Sequence, residues 1–267
     1  MNQQSKVAVI GAGVMGEALI AALISSGVNP DRITISEKRE ERAQELISKY
    51  LIKAAPLTSN VADADALLLV VKPQDMASVL EEIKGSINTT AIVITFAAGK
   101  TISFISNGLG TGNPVVRVMP NTPTLVAQGM AAASMGAGVT AAQREFVLGF
   151  LGATGKVIEV TEDLQDAVTA TSGSGPAYFF AFVEAMVAGA KELGLSDHDA
   201  TTLTIQTIVG AAKLLDESGK SATTLRENVT SPNGTTAAAL ASFGNDNLNS
   251  MVAKAMKAAR DRSQELA

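Results

Sequence analysis

Gly11, Gly13 and Gly16, set just behind the run Val7-Ala-Val-Ile10, are the residues whose spacing most clearly implies a chemistry. A β-branched run ending in a sharp turn, a second glycine that lets backbone approach a pyrophosphate, and a third that lets a helix lie against the strand together describe a dinucleotide cradle. The phosphates would rest on the helix that opens at Val14 and Met15, where unpaired N–H groups and the helix dipole favour negative charge. Glycines recur by chance, so the reading rests on context: a strand before and a helix after, both present here.

Four further segments combine proline, glycine and small hydroxyls: Val71-Lys72-Pro73-Gln74, Met119-Pro120-Asn121-Thr122-Pro123, Ser172-Gly173-Ser174-Gly175-Pro176, and Thr230-Ser231-Pro232-Asn233-Gly234-Thr235-Thr236. Each alone is ordinary turn chemistry. The chain has no cysteine, which excludes disulfides, thiolate metal sites and a cysteine nucleophile. Its one histidine, His198, lies in the polar junction Ser196-Asp-His-Asp-Ala200, where a capping or exposed role is expected. Histidine acid catalysis and multi-histidine metal binding are therefore not expected, and no metal is assigned.

These segments must be positioned by a core, and 46% hydrophobic against 18% charged residues in 267 positions suffices for two modest ones. Strands are expected at Val7–Ile10, Ile33–Ser36, Leu51–Ala54, Ala66–Val71, Ala91–Thr95, Pro114–Met119 and Val157–Val160. Helices are expected from Val14 to Ser26, Glu37 to Tyr50, Pro73 to about Lys84, from Thr101, and from Thr140 to Gly149. Ser59-Asn60 reads as a polar turn, and Thr124 to Gly138 as a small-residue strand or turn at the sheet edge. Strand tips then fall at Lys72, Thr95 and Met119, on the side where open α/β sheets bind ligands.

Beyond Thr161 only helices are expected, at Glu162–Ala170, Gly175–Leu193, His198–Asp216, Thr223–Val229 and Thr235–Glu265, the last broken at Gly244-Asn245. The fold class is thus α/β: a Rossmann-type dinucleotide-binding domain over 1–162, then an all-α domain over 163–267. The helix from Gly175 to Leu193 is apolar nearly all round, which implies burial against a second subunit or, alternatively, among its own neighbours. A net charge of −5 offers no footprint for nucleic acid or an anionic membrane. No run of about 18 apolar residues would span a bilayer, and a cytoplasmic location is expected.

Taken in order, the glycine turn, Val-Lys-Pro-Gln, Met-Pro-Asn-Thr-Pro, Ser-Gly-Ser-Gly-Pro-Ala-Tyr at 172 to 178 and Thr-Ser-Pro-x-Gly-Thr-Thr resemble pyrroline-5-carboxylate reductases, essentially end to end. The resemblance implies NAD(P)H-dependent reduction of the cyclic imine 1-pyrroline-5-carboxylate to L-proline, the last step of proline biosynthesis. It implies cofactor contacts from Gly11, Gly13, Val14, Met15, Gly16, Ser36, Lys38, Arg39, Val71, Lys72, Pro73, Ala97, Ala98, Gly99 and Asn121. Substrate would be held by Ser231, Asn233, Gly234, Thr235 and Thr236. The helical domain would dimerise by interleaving, each active site drawing on two subunits, with some members assembling into rings of dimers such as a decamer. Two residues depart from the family: Asn233 stands where glycine is usual, and Phe96 replaces a smaller residue near the nicotinamide.

The last segment precedes an Ala-rich helical run, so the N–H groups of Gly234, Thr235 and Thr236 are expected to face a substrate carboxylate. Hydride attack on C=N needs the nitrogen protonated or hydrogen-bonded, and with a single histidine a hydroxyl is the expected donor. Thr236 fits by motif, Thr235 is the fallback, and a plain threonine N-cap is the competing reading. Ser36, Lys38 and Arg39 favour NADPH while Glu37 favours NADH; NADPH is expected, with NADH usable. The enzyme rival, a β-hydroxyacid dehydrogenase, would place a lysine on the long helix, and Gly175 to Ala190 has none. A non-catalytic dinucleotide sensor is the rival of another class.

Overall fold

The computed structural model describes residues 4–266, and all that follows concerns those residues. Strands β1 (Val7–Ile10), β2 (Ile33–Ser36), β3 (Lys53–Ala54), β4 (Ala66–Leu69), β5 (Ile92–Thr95), β6 (Val115–Met119), β7 (Gly129–Met135) and β8 (Gly155–Glu159) form one sheet, ordered β3-β2-β1-β4-β5-β6-β7-β8. Pairing is parallel from β3 to β6; β7 runs antiparallel to β6 and parallel to β8.

Alternate residues of β1 serve opposite cores. Val7 and Val9 pack with α1 (Val14–Ser25), α2 (Glu40–Tyr50) and α6 (Ala141–Gly152), whereas Ala8 and Ile10 pack with α3 (Leu57–Ala62), α4 (Met76–Ile83) and α5 (Ile102–Leu109). Burial on both faces is why β4 and β5 read as unbroken apolar runs instead of alternating ones. The strand order reverses between β1 and β4, which opens a crevice at their carboxyl ends.

Several expectations are corrected. Ser59-Asn60 lies inside α3, where Asn60 is buried and donates to the Thr34 carbonyl and to Ser36 Oγ. β7 is one strand in from the edge, which β8 occupies; Ala131, Ala132 and Ala133 are fully buried there. Helix α2 starts at Glu40 with Arg39 as its N-cap, so Lys38 and Arg39 precede the helix that the sequence begins at Glu37. Ser172 to Pro176 is no loop. After α7 (Gln165–Val168) the chain continues as a π-helical turn over Thr169–Gly173, with Ser174 N–H on the Thr169 carbonyl at 2.8 Å, straight into α8 (Gly175–Glu192). Such π turns are uncommon and recur at functional sites.

The chain divides into two compact units, residues 1–176 with 259–267, and residues 177–258. The second is helical throughout: most of α8, then α9 (Asp197–Glu217), α10 (Ala222–Asn228), α11 (Thr235–Asn245) and the body of α12 (Leu248–Glu265). Ser196 caps α9 and His198 is exposed in its first turn, as expected. Helix α8 is not wrapped by its neighbours: Phe179 and Phe180 are 66% and 63% exposed, which rules out the self-buried alternative. No described helix is long and apolar enough to cross a membrane.

Glu17, in α1, accepts from Arg42, from Lys49 Nζ at 2.8 Å and from Tyr50 OH at 3.1 Å, tying α2 to α1. Arg42 also donates to the Ala12 carbonyl, extending the tie to the glycine turn. The Lys49 hydrogen bond, opposed by burial and reinforced by Arg42 and Tyr50, holds the Glu17 carboxyl down from 4.5 to about 2. A depressed carboxylate stabilises fully above its unfolded pKa and loses that contribution as pH falls through the folded one. Glu17→Gln should therefore cost about 1–3 kcal/mol at pH 7, the difference from the parent shrinking between pH 4.5 and 2. Urea unfolding at pH 7 and at pH 3 measures this; a pH-independent difference would refute it.

Candidate active site

The glycine turn lies at the switch point between β1 and β4. Gly11 has φ 87°, and a Cβ there would meet the Val70 carbonyl oxygen at 2.8 Å. A Cβ on Gly16 would lie 2.4 Å from the Gly11 carbonyl oxygen, so α1 presses on the turn as closely as backbone allows. Gly13 has open space over it, which leaves room for a phosphate against its backbone. No side chain caps α1, and its first N–H groups face this space, with Val14 64% exposed beside them. The cradle fits a dinucleotide pyrophosphate on these grounds.

Beside the turn is a cavity of about 640 Å³, lined among others by Gly11, Gly13, Ser36, Lys38, Arg39, Val71 and Lys72. Its volume suits a nucleotide. The remaining cofactor candidates sit at neighbouring strand tips on the same sheet edge. Pro73 opens a short helical turn after β4, Ala97 to Gly99 follow β5, and Asn121 follows β6. Gly99, at φ 73°, lies against Leu266, and Lys100 Nζ donates to the Leu266 carbonyl at 3.0 Å. Phe96 is 8% exposed and belongs to the core shared with α1 and α6, so its ring is turned into the core.

Two candidates have their polar groups engaged inside the protein. Ser36 Oγ donates to the Ala55 carbonyl at 2.9 Å and accepts from Asn60 at 3.0 Å. Asn121 donates to the Ser172 carbonyl at 3.1 Å and accepts Met130 N–H at 2.8 Å, joining β7 to the π turn. The residue that sequence reasoning left outside the site is Glu37, which it weighed only as a complication. Its Oε2 accepts Ala12 N–H at 3.0 Å, and Oε1 accepts Arg39 N–H at 3.1 Å and Arg39 Nε at 3.0 Å. Hydrogen bonds from Arg39 and Ala12 outweigh burial and lower its pKa. Leu57 and Asp75 also line the cavity, without any signal in the sequence.

In the second unit, Ser231 to Gly234 form a turn closed by Gly234 N–H on the Ser231 carbonyl at 3.0 Å. Asn233 has φ 59°, the left-handed conformation that asparagine tolerates, so its departure from glycine keeps the turn. Gly234 caps α11 without a side-chain hydrogen bond. That corrects two expectations. The Gly234 N–H is spent within the turn, leaving Thr235, Thr236 and Ala237 as the open N–H groups, and neither threonine is the N-cap. Thr236 is half-buried, and its hydroxyl has no partner among the described residues.

Comparison with known proteins accounts for both parts of the chain. Residues 6–99 match the family model described as NADP oxidoreductase coenzyme F420-dependent, and residues 162–266 that for pyrroline-5-carboxylate reductase dimerisation. A pyrroline-5-carboxylate reductase from Corynebacterium melassecola is 42% identical over 97% of this chain and 98% of its own length. One from Pseudomonas aeruginosa is 40% identical over 98% and 97%. The solved structure of a pyrroline-5-carboxylate reductase from Coxiella burnetii superposes with a TM-score of 0.91 at 35% identity, covering 99% of both chains. With the glycine cradle, the uncapped α11 and relatives alike over their whole length, the chain belongs to the pyrroline-5-carboxylate reductase family, NAD(P)H-dependent oxidoreductases that reduce a C=N bond.

Proposed function

We propose that Thr236 is the catalytic hydrogen-bond donor and that the N-terminus of α11 holds the substrate carboxylate. The observation that carries this is an uncapped helix end with the Thr236 hydroxyl in its first turn. Bound NAD(P)H supplies the hydride. Open N–H groups at Thr235, Thr236 and Ala237 donate to the carboxylate, the turn of Ser231, Asn233 and Gly234 shapes the site, and Thr236 Oγ1 donates to the ring nitrogen as electron density moves onto it. The hydroxyl is strongest as a donor when that nitrogen is most electron-rich, so the bond favours the transition state over the bound imine.

NADPH is the proposed donor, held by Gly11, Gly13 and Gly16 and read at its 2′-phosphate by Lys38 and Arg39. Residues 1–162 would serve the dinucleotide and residues 163–267 dimerisation and substrate. A homodimer covering the apolar face of α8, assembled further into a ring of dimers such as a decamer, in the cytoplasm, completes the proposal. A solved relative from Plasmodium falciparum, 26% identical, is described with NADP bound.

Purified protein should oxidise NADPH when pyrroline-5-carboxylate is added; binding without oxidation would favour the sensor reading. Sedimentation should show no active monomer, because Phe179, Phe180 and Phe182 are otherwise left in water. A stable, active monomer would undo the shared site.

A further inference from the structure

Gly11 and Gly13 flank Ala12, so the peptide groups on either side of Ala12 adjoin the residues with the widest backbone freedom. Both groups are nevertheless held, by side chains far along the chain. Glu37 Oε2 accepts the Ala12 N–H at 3.0 Å, and Arg42 Nε donates to the Ala12 carbonyl at 3.2 Å. Arg42 belongs to α2, and its side chain is only 16% exposed.

A trans peptide group is planar, with its carbonyl and its N–H pointing in opposite directions. By fixing the Ala12 carbonyl, Arg42 therefore also fixes the Gly13 N–H, on the side away from the guanidinium. That N–H has no acceptor among the described residues, and a Cβ on Gly13 would meet nothing within 4 Å. A phosphate oxygen there would accept it, whereas the same peptide turned over would present a carbonyl oxygen and repel the phosphate. Arg42 is not itself free to bind the anion. Its Nε is on Ala12, Nη1 is on Glu45 at 2.7 Å and Nη2 is on Glu17, and the two carboxylates offset its charge.

We infer that Arg42 is a positioning residue for the dinucleotide pyrophosphate: it holds the Ala12–Gly13 peptide with the Gly13 N–H outward, ready to donate to a phosphate oxygen, for NADH and NADPH alike. This rests on the pyrophosphate lying against the glycine turn. Held before the ligand arrives, the N–H need not be ordered on binding. The turn thus keeps the close approach that its glycines allow without their freedom.

The test is binding, not turnover. Dissociation constants are measured on the full-length protein without imine: for NADPH and NADH from the fluorescence of the reduced nicotinamide, and for adenosine 2′-phosphate, which has no pyrophosphate, by competition with NADPH. Arg42→Lys keeps a cation for Glu17 and Glu45 but has a methylene where Nε stands. It should weaken NADPH and NADH about tenfold each, the loss of one hydrogen bond to phosphate, with adenosine 2′-phosphate unchanged. Lys49→Met separates this from stability, because it removes another partner of Glu17 while Arg42 stays on Ala12. Whatever stability it costs, all three affinities should keep the parent's values. Parental affinity for both dinucleotides in Arg42→Lys overturns the inference, as does a loss confined to one of them. A loss shared by adenosine 2′-phosphate, or matched by Lys49→Met, overturns it too and leaves Arg42 a brace of the fold alone. Should Arg42→Lys fail to fold, the parent decides: hydrogen exchange at the Gly13 amide should slow when NADPH binds, and unaltered exchange overturns the inference. Failure of the cofactor assignment is distinguishable, since the parent protein would then bind neither donor.

Discussion

Gly16→Ala is expected to weaken dinucleotide binding by about 10- to 100-fold, the equivalent of about 1.4–2.8 kcal/mol. On helix propensity alone, alanine in place of glycine inside α1 would be favourable by about 1 kcal/mol. The contact decides the sign: the new Cβ meets the Gly11 carbonyl oxygen at 2.4 Å and its carbon at 3.3 Å, both backbone atoms that no rotamer change can move. Nor can the turn retreat. Gly11 N–H is bonded to the Ser36 carbonyl at 3.0 Å, and the Val70 carbonyl stands on its far side. Helix α1 must therefore lift, carrying its first N–H groups off the pyrophosphate, with an overpacking cost of about 1–3 kcal/mol. Gly13→Ala is the contrast. With open space over it, it should leave stability nearly unchanged and lower affinity only by crowding the phosphate. Unfolding curves and NADPH titrations on both variants measure this, and an unchanged affinity in Gly16→Ala would remove the glycine turn from the cofactor site.

What the sequence made legible follows from periodicity. The run from Val7 to Gly16 announces strand, turn and helix because each part obeys its own period, and the helix read from Thr140 is α6, whose start the structure closes with a capping box between Thr140 and Gln143. Asn60 escaped for the opposite reason: a buried asparagine that satisfies itself on Thr34 and Ser36 looks like turn chemistry until the strand it reaches is known. The π turn at Thr169–Gly173 was hidden because Ser-Gly-Ser-Gly-Pro has the composition of a loop; its structure depends on bonds such as Asn121 to Ser172, which no local pattern encodes. Glu37 was visible as a residue but not as a contact, since Ala12 lies 25 positions away. The apolar surface of α8 was legible throughout, and its exposure in the single chain is what a subunit interface requires.

Thr236→Val should lower kcat by about 10- to 100-fold, the range expected for a hydrogen bond worth about 1.5–3 kcal/mol more in the transition state than in the bound imine. Valine preserves the shape of threonine and its backbone N–H, so the groups proposed to hold the carboxylate remain and KM should change little. The structure sharpens the experiment. Because Gly234 is the cap of α11 and no side chain contributes to it, Thr236→Val removes no cap, and stability should stay within about 0.5 kcal/mol of the parent. A loss of rate in an equally stable protein with unaltered NADPH affinity then isolates the hydroxyl. Thr235→Val is the partner variant: it should retain most of the rate, since Thr236 fits the donor role by motif. Should Thr235→Val lose the rate while Thr236→Val keeps it, the donor role passes to Thr235; should both keep it, the nitrogen draws its proton from water, and α11 serves the carboxylate alone.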